Sequence, residues 1–268
     1  MKKPAFTLLV SAILAICCFS CEKQPLFSVS YPEELASEQA FDGRLLLLVS
    51  NNEEQEPRFQ ISNGPETQLI FGMDVNQWKP GTALHFYGDE PGYPLKKLAD
   101  LPKGSYRVQV LLYKYETYTR ADGEVLLLPP MDKGEGIQWN LTPGNLYSKP
   151  PTLSLDLSRP HTHSLVLSEE IPPIEAPEDT RYVKHIRMRS ELLSEFWGRD
   201  VYLGAHVLLP EGFDEHPEAR YPLAVFHGHY PHDFSGFREN PPDPDLKPDY
   251  SARFGISGYN KIVQEEAY

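Results

Sequence analysis

Proline interrupts this chain 26 times in 268 residues, often enough to favour short strands and ordered loops over long helices. About 5% is usual, and each proline ring fixes φ and removes a backbone donor. Between the prolines lie short β-type runs: Arg44-Leu-Leu-Leu-Leu-Val49, Gln68-Leu-Ile-Phe71, Ala83-Leu-His-Phe-Tyr87, Tyr106 to Tyr118, Glu124 to Leu128 and Thr152 to Leu157. Asn63-Gly-Pro, Lys79-Pro-Gly, Pro102-Lys-Gly, Ala121-Asp-Gly and Pro143-Gly-Asn separate them at the spacing of a sandwich or barrel. Tyr106, Val108, Val110 and Leu112 alternate with Arg107, Gln109 and Leu111, the period of two that half-buries a strand. The pattern predicts a mostly β protein with a β-sandwich-like domain over residues 41–167.

The chain opens on Met1-Lys2-Lys3, followed by an apolar run from Pro4 to Ile16 and then Cys17-Cys18-Phe19-Ser20-Cys21. A basic start, a short apolar core and a small residue before the break have the anatomy of a secretory signal, and the run is too short to span a bilayer comfortably. Ser20-Cys21 resembles the lipobox of bacterial lipoproteins, although Cys18 stands where leucine is usual. The resemblance implies an exported protein, cleaved before Cys21 and lipid-anchored there to a bacterial membrane, in the periplasm or at the cell surface. Residues 1–21 are then signal and lipobox, and residues 22–40, with few apolar side chains in any period, a tether.

All three cysteines lie in that opening segment. The remainder can form no disulfide, cysteine zinc site or cysteine nucleophile, and its stability must come from burial. A net charge of -13 argues against nucleic acid and against a polybasic membrane patch. Membrane contact is therefore expected through the lipid.

Residues 168–180 hold Pro172, Pro173 and Pro177 among acidic residues and read as an extended linker. Beyond it Tyr182-Val-Lys-His-Ile-Arg-Met-Arg189 alternates, and so does Val201-Tyr-Leu-Gly-Ala-His-Val-Leu-Leu209, with Trp197-Gly-Arg-Asp200 as a turn between them. The two runs predict an antiparallel pair. Tyr221-Pro-Leu-Ala-Val-Phe226 is a continuous apolar run of the kind buried on both faces, and it leads into His227-Gly228-His229-Tyr230.

Phe196-Trp-Gly-Arg-Asp-Val-Tyr-Leu-Gly-Ala-His-Val-Leu-Leu-Pro-Glu-Gly-Phe-Asp214 followed by Tyr221-Pro-Leu-Ala-Val-Phe-His-Gly-His229 resembles the esterase family related to enterochelin esterase and esterase D. The resemblance covers residues 181–230 and implies that residues 181–268 begin an α/β-hydrolase domain. It implies that the loop at Gly228, His229 and Tyr230 offers backbone N–H groups to an oxyanion. Three N-terminal phrases, Tyr113-Lys-Tyr-Glu-Thr-Tyr118, the stretch from Pro129 to Gly136 and Pro143-Gly-Asn-Leu-Tyr-Ser148, look like the β-rich leader of some large exported members.

The chain departs from the family in one decisive respect. A serine esterase needs Gly-x-Ser-x-Gly, then an acid and a histidine, and no such elbow occurs here. Gly255-Ile-Ser257-Gly258 lacks the second glycine at the required spacing, so Ser257 reads as a loop or cap serine. The expectation is the front portion of a longer enzyme, or a product truncated before its triad, inactive on esters by itself. Completed, it would act on an ester or acylated glycan.

His227, His229 and His232 have metal-compatible spacing, but an irregular loop at Gly228 need not bring them together. Asp243, Asp245 and Asp249 lack the glycine and terminal glutamate of a calcium loop, and Asn140-Leu-Thr142 is a sequon with no use in a bacterial lipoprotein. No cofactor is expected. The rival reading is a β module binding a surface glycan or a partner, with 15 tyrosines and 3 tryptophans as possible platforms.

Overall fold

The computed structural model describes residues 24–36, 40–130, 138–159, 161–210, 212–226 and 234. Among them the protein is mostly β. The strands are β1 (Phe27–Ser30), β2 (Phe41–Ser50), β3 (Leu69–Trp78), β4 (Leu84–Phe86), β5 (Gly92–Tyr93), β6 (Gly104–Thr119) and β7 (Val125–Leu128). They continue with β8 (Leu146–Tyr147), β9 (Thr152–Leu155), β10 (His163–Val166), β11 (Glu169–Glu170), β12 (Val183–Arg189) and β13 (Tyr202–Leu208). One α-helix, α1 (Glu191–Trp197), lies between the last two. The described residues pack as two units: those up to 40, 44–112 and 146–169 form one, and those of 41–43, 113–145 and 170 onward form the other.

In the first unit, β1 is the middle strand of a three-stranded sheet, parallel to β10 and antiparallel to β4. Phe27 faces His163 on one side and Phe86 on the other, and Phe27, Val29 and Tyr31 are buried. This corrects the tether expected over residues 22–40. Phe27-Ser-Val-Ser-Tyr31 has the apolar alternation of a strand, in a run too short to stand out beside its polar flanks. Tyr31 donates its hydroxyl to the Trp78 carbonyl at 2.8 Å, and the two rings meet edge to face at 4.8 Å.

The larger sheet runs β8, β6, β2, β3, β5, with β11 outside β8 and β9 pairing the start of β6. Strand β2 is central, and Leu45 to Val49 are all buried, as a continuous apolar run demands. The alternation in β6 predicts one buried face, but Val108 through Leu112 are buried without a break. Gln109 survives there because its amide is satisfied. It donates to the Ser148 carbonyl at 2.8 Å and to Glu56 Oε2 at 2.9 Å, and accepts from the Arg58 N–H at 3.1 Å. Such bonds offset the burial of a polar group.

The second unit contains the hairpin of β6 and β7, in which Glu116 to Thr119 pair with Leu128 to Val125. Its turn closes through Gly123, at φ +85°, and the Arg120–Glu124 ion pair at 2.6 Å. Strands β12 and β13 pair antiparallel over seven residues, from Val183↔Leu208 to Arg189↔Tyr202, as their alternation predicts. The connection holds more than the expected turn at residues 197–200. Ser190 caps α1 by accepting the Leu193 N–H at 3.3 Å, and Gly198 ends it in the left-handed region at φ +62°. Both are helix-boundary signals, but the helix they bound is only seven residues long. Among the described residues no helix is long and apolar enough to cross a membrane.

The position of β1 makes a measurable demand. Phe27→Ala should cost about 3–5 kcal/mol in urea unfolding of the full chain, because the ring is fully buried. A loss within experimental error would contradict a central β1.

Candidate functional site

The chemistry expected from the sequence follows β12 and β13. Within the second unit α1 and the residues after it rest on the end of β6. Arg199 Nη1 donates to Glu116 Oε2 at 2.9 Å and its guanidinium lies 4.9 Å above the Tyr118 ring. Trp197 meets Tyr118 edge to face at 5.8 Å, and the Ala121 N–H donates to the Phe196 carbonyl at 2.7 Å. A Cβ on Gly198 would stand 3.1 Å from the Thr119 carbonyl oxygen, so glycine serves both the helix end and this close approach. Ser194 Oγ accepts the Val201 N–H at 2.9 Å and fixes the entry to β13.

After β13 the chain turns at Gly212, φ +72°, and Arg181 approaches Glu215 at 3.6 Å. A depression of about 270 Å³ lies between Arg181, Tyr182, Pro210 and Phe213. Ligand pockets usually enclose roughly 300–1,000 Å³, so its size alone argues for no ligand. The run from Tyr221 to Phe226 was expected as a strand buried on both faces. Instead it belongs to no strand, and Leu223, Val225 and Phe226 are 83, 77 and 67% exposed. A buried strand needs a neighbour on each edge and a layer on each face, and no strand among the described residues pairs with it.

The oxyanion candidates Gly228, His229 and Tyr230 lie outside the described residues, as do the metal candidates His227 and His232. So do Cys21, Ser257, Asp243, Asp245 and Asp249. Among the described residues no group of three or more histidine, cysteine, aspartate or glutamate side chains is arranged to hold a metal ion.

The pairing of β12 with β13 brings together residues that the sequence reading passed over. His185 stands directly opposite His206, with ring centroids 4.9 Å apart and planes at 87°. Asp179 Oδ1 accepts the His185 backbone N–H at 2.8 Å and lies 3.2 Å from its Nδ1. The backbone hydrogen bond, above all, holds the Asp179 carboxyl below the usual carboxylate range. His206 Nδ1 is buried with no hydrogen-bond partner among the described residues. Alternation alone puts each histidine on a face; only the register makes them neighbours. In the first unit His161 and His163 also meet, with ring centroids at 4.6 Å, and burial, then His161, lowers the His163 pKa.

Comparison with protein-family models, curated proteins and solved structures found no match.

Asp179 supplies a pH prediction. A carboxylate whose folded pKa is depressed stabilises the fold above its unfolded value, about 3.9, and loses that contribution as pH falls through the folded value. A carbon-detected NMR titration of Asp179 should give a midpoint below 3.9, moving with the loss of the His185 amide resonance. A midpoint at or above that unfolded value would contradict the bond.

Proposed function

We propose that residues from 181 onward open the sheet of an esterase-type α/β-hydrolase in an exported protein anchored through lipid on Cys21. The substrate class is a carboxylic ester, such as an acylated glycan. The observation that carries the reading is the seven-residue antiparallel pair β12–β13, followed by an apolar segment that ends, exposed, directly before His227-Gly228. An antiparallel leading pair, an apolar run and a His-Gly sequence come in the order that this resemblance requires.

In that reading the backbone N–H groups of the turn at Gly228, His229 and Tyr230 stabilise the negative charge that develops on the ester carbonyl oxygen. The described residues contribute position and support, while the 268 residues contain no Gly-x-Ser-x-Gly elbow. The nucleophile therefore has to come from elsewhere, and these residues by themselves should turn over no ester. Exposed Ile186, Met188 and Leu203, all on one face of the pair, give the partner-binding reading its own support, since apolar patches mark contact surfaces.

Antibodies to residues 41–226 would isolate the native protein from its own cells for labelling with a fluorophosphonate. The esterase reading expects a labelled serine hydrolase, either on the antigen itself or tightly bound to it. An unlabelled antigen that carries a stoichiometric partner would replace it with the binding reading.

A further inference from the structure

The histidine pair across β12 and β13 has a use independent of the esterase reading. The bonds Leu209 N–H to Tyr182 carbonyl, 2.7 Å, and Ser190 N–H to Val201 carbonyl, 2.8 Å, bracket the ladder. With the observed register they make the even-numbered residues of β12 the hydrogen-bonded positions. His185 and His206 are thus a non-hydrogen-bonded pair, the kind whose side chains approach most closely. The His185 N–H points away from β13, and Asp179 receives it there.

Three features suit this pair to chelation. A metal about 2.1 Å from one nitrogen of each ring places the ring centroids about 4.6–5.3 Å apart for angles between square and tetrahedral; here the centroids are 4.9 Å apart. Asp179 sits at Nδ1 of His185, which directs the ring's other nitrogen, Nε2, to serve as the metal donor, the carboxylate–histidine arrangement that orients metal ligands. His206 Nδ1 is a buried polar atom with no hydrogen-bond partner among the described residues, and such atoms call for one.

The nearby cations are turned elsewhere. Lys184 Nζ donates to the Thr180 carbonyl at 2.7 Å, and the Arg187 guanidinium lies 3.8 Å over the Tyr202 ring, at the end of that face away from the histidines. We propose that His185 and His206 bind one late first-row divalent metal ion, Cu²⁺, Ni²⁺ or Zn²⁺, with Asp179 holding the His185 ring and water completing the coordination. Imidazole donors suit these ions, and a hard ion such as Mg²⁺ should be ignored.

The full chain has nine histidines, so the test begins from a background in which His161, His163, His227, His229 and His232 are glutamine. Calorimetric titration with Cu²⁺ should show one saturable site in that background, and its electron paramagnetic resonance spectrum should carry nitrogen hyperfine structure. His185→Gln or His206→Gln should weaken binding at least tenfold and reduce that structure. Asp179→Asn, which leaves both ligands in place, should weaken it roughly 10–100-fold. Circular dichroism of the metal-free variants identifies any that fails to fold, and the remaining variants then decide. No saturable site in the background chain would overturn the proposal, as would affinity unchanged in folded His185→Gln, His206→Gln or Asp179→Asn chains.

Discussion

Strand β6 buries side chains on both faces from Val108 to Leu112, and much of the described structure depends on that burial being tolerated. An unpaired amide at Gln109 would cost about 1–3 kcal/mol, a large share of a domain's net stability. Glu56, Ser148 and the Arg58 backbone remove that cost. The Arg58 guanidinium in turn bonds to Glu56 at 2.9 Å and lies between the Phe59 and Tyr147 rings, 4.4 and 4.2 Å from their centroids. With its middle so held, β6 carries β8 and β9 in the first unit and β7 in the second.

The second unit obeys a different balance. Strands β12 and β13 satisfy each other's backbone, but Ile186, Met188 and Leu203 remain exposed on one of their faces. Leu192 on α1 is exposed as well. Each such side chain forgoes part of the roughly 1.5–3 kcal/mol that full burial would contribute. What secures the ladder is polar and aromatic instead: Arg199 on Glu116, Trp197 on Tyr118, and the caps of α1 at Ser190 and Gly198. An apolar pair held by its ends is suited to receiving a covering layer.

Much of this was legible in the sequence, for physical reasons that differ by region. The runs at 44–49, 68–71, 106–118 and 152–157 became strands because period and turn chemistry agreed. The β12–β13 pair was legible because strict alternation admits few registers. Strand β1 was hidden by brevity: Phe27, Val29 and Tyr31 count as core only once β4 and β10 flank them. Full burial of β6 was hidden because Gln109 looks like a solvent residue until its partners, from 39 to 53 positions away, are in place. Tyr221–Phe226 misled in the opposite direction, since an apolar run announces a preference for burial and not the presence of neighbours. The histidine pair could not be read at all before the register was known.

The central claim is that β12 and β13 form a ladder secured at its ends and uncovered on one apolar face, whereas β6 lies in a closed core. Hydrogen–deuterium exchange of the full chain measures this residue by residue. Amides of Val108 to Leu112 should exchange only with global unfolding, and those of the β12–β13 ladder by local opening, at least a hundredfold faster. Equal protection of the two would mean that the hairpin is already covered, and would contradict the account.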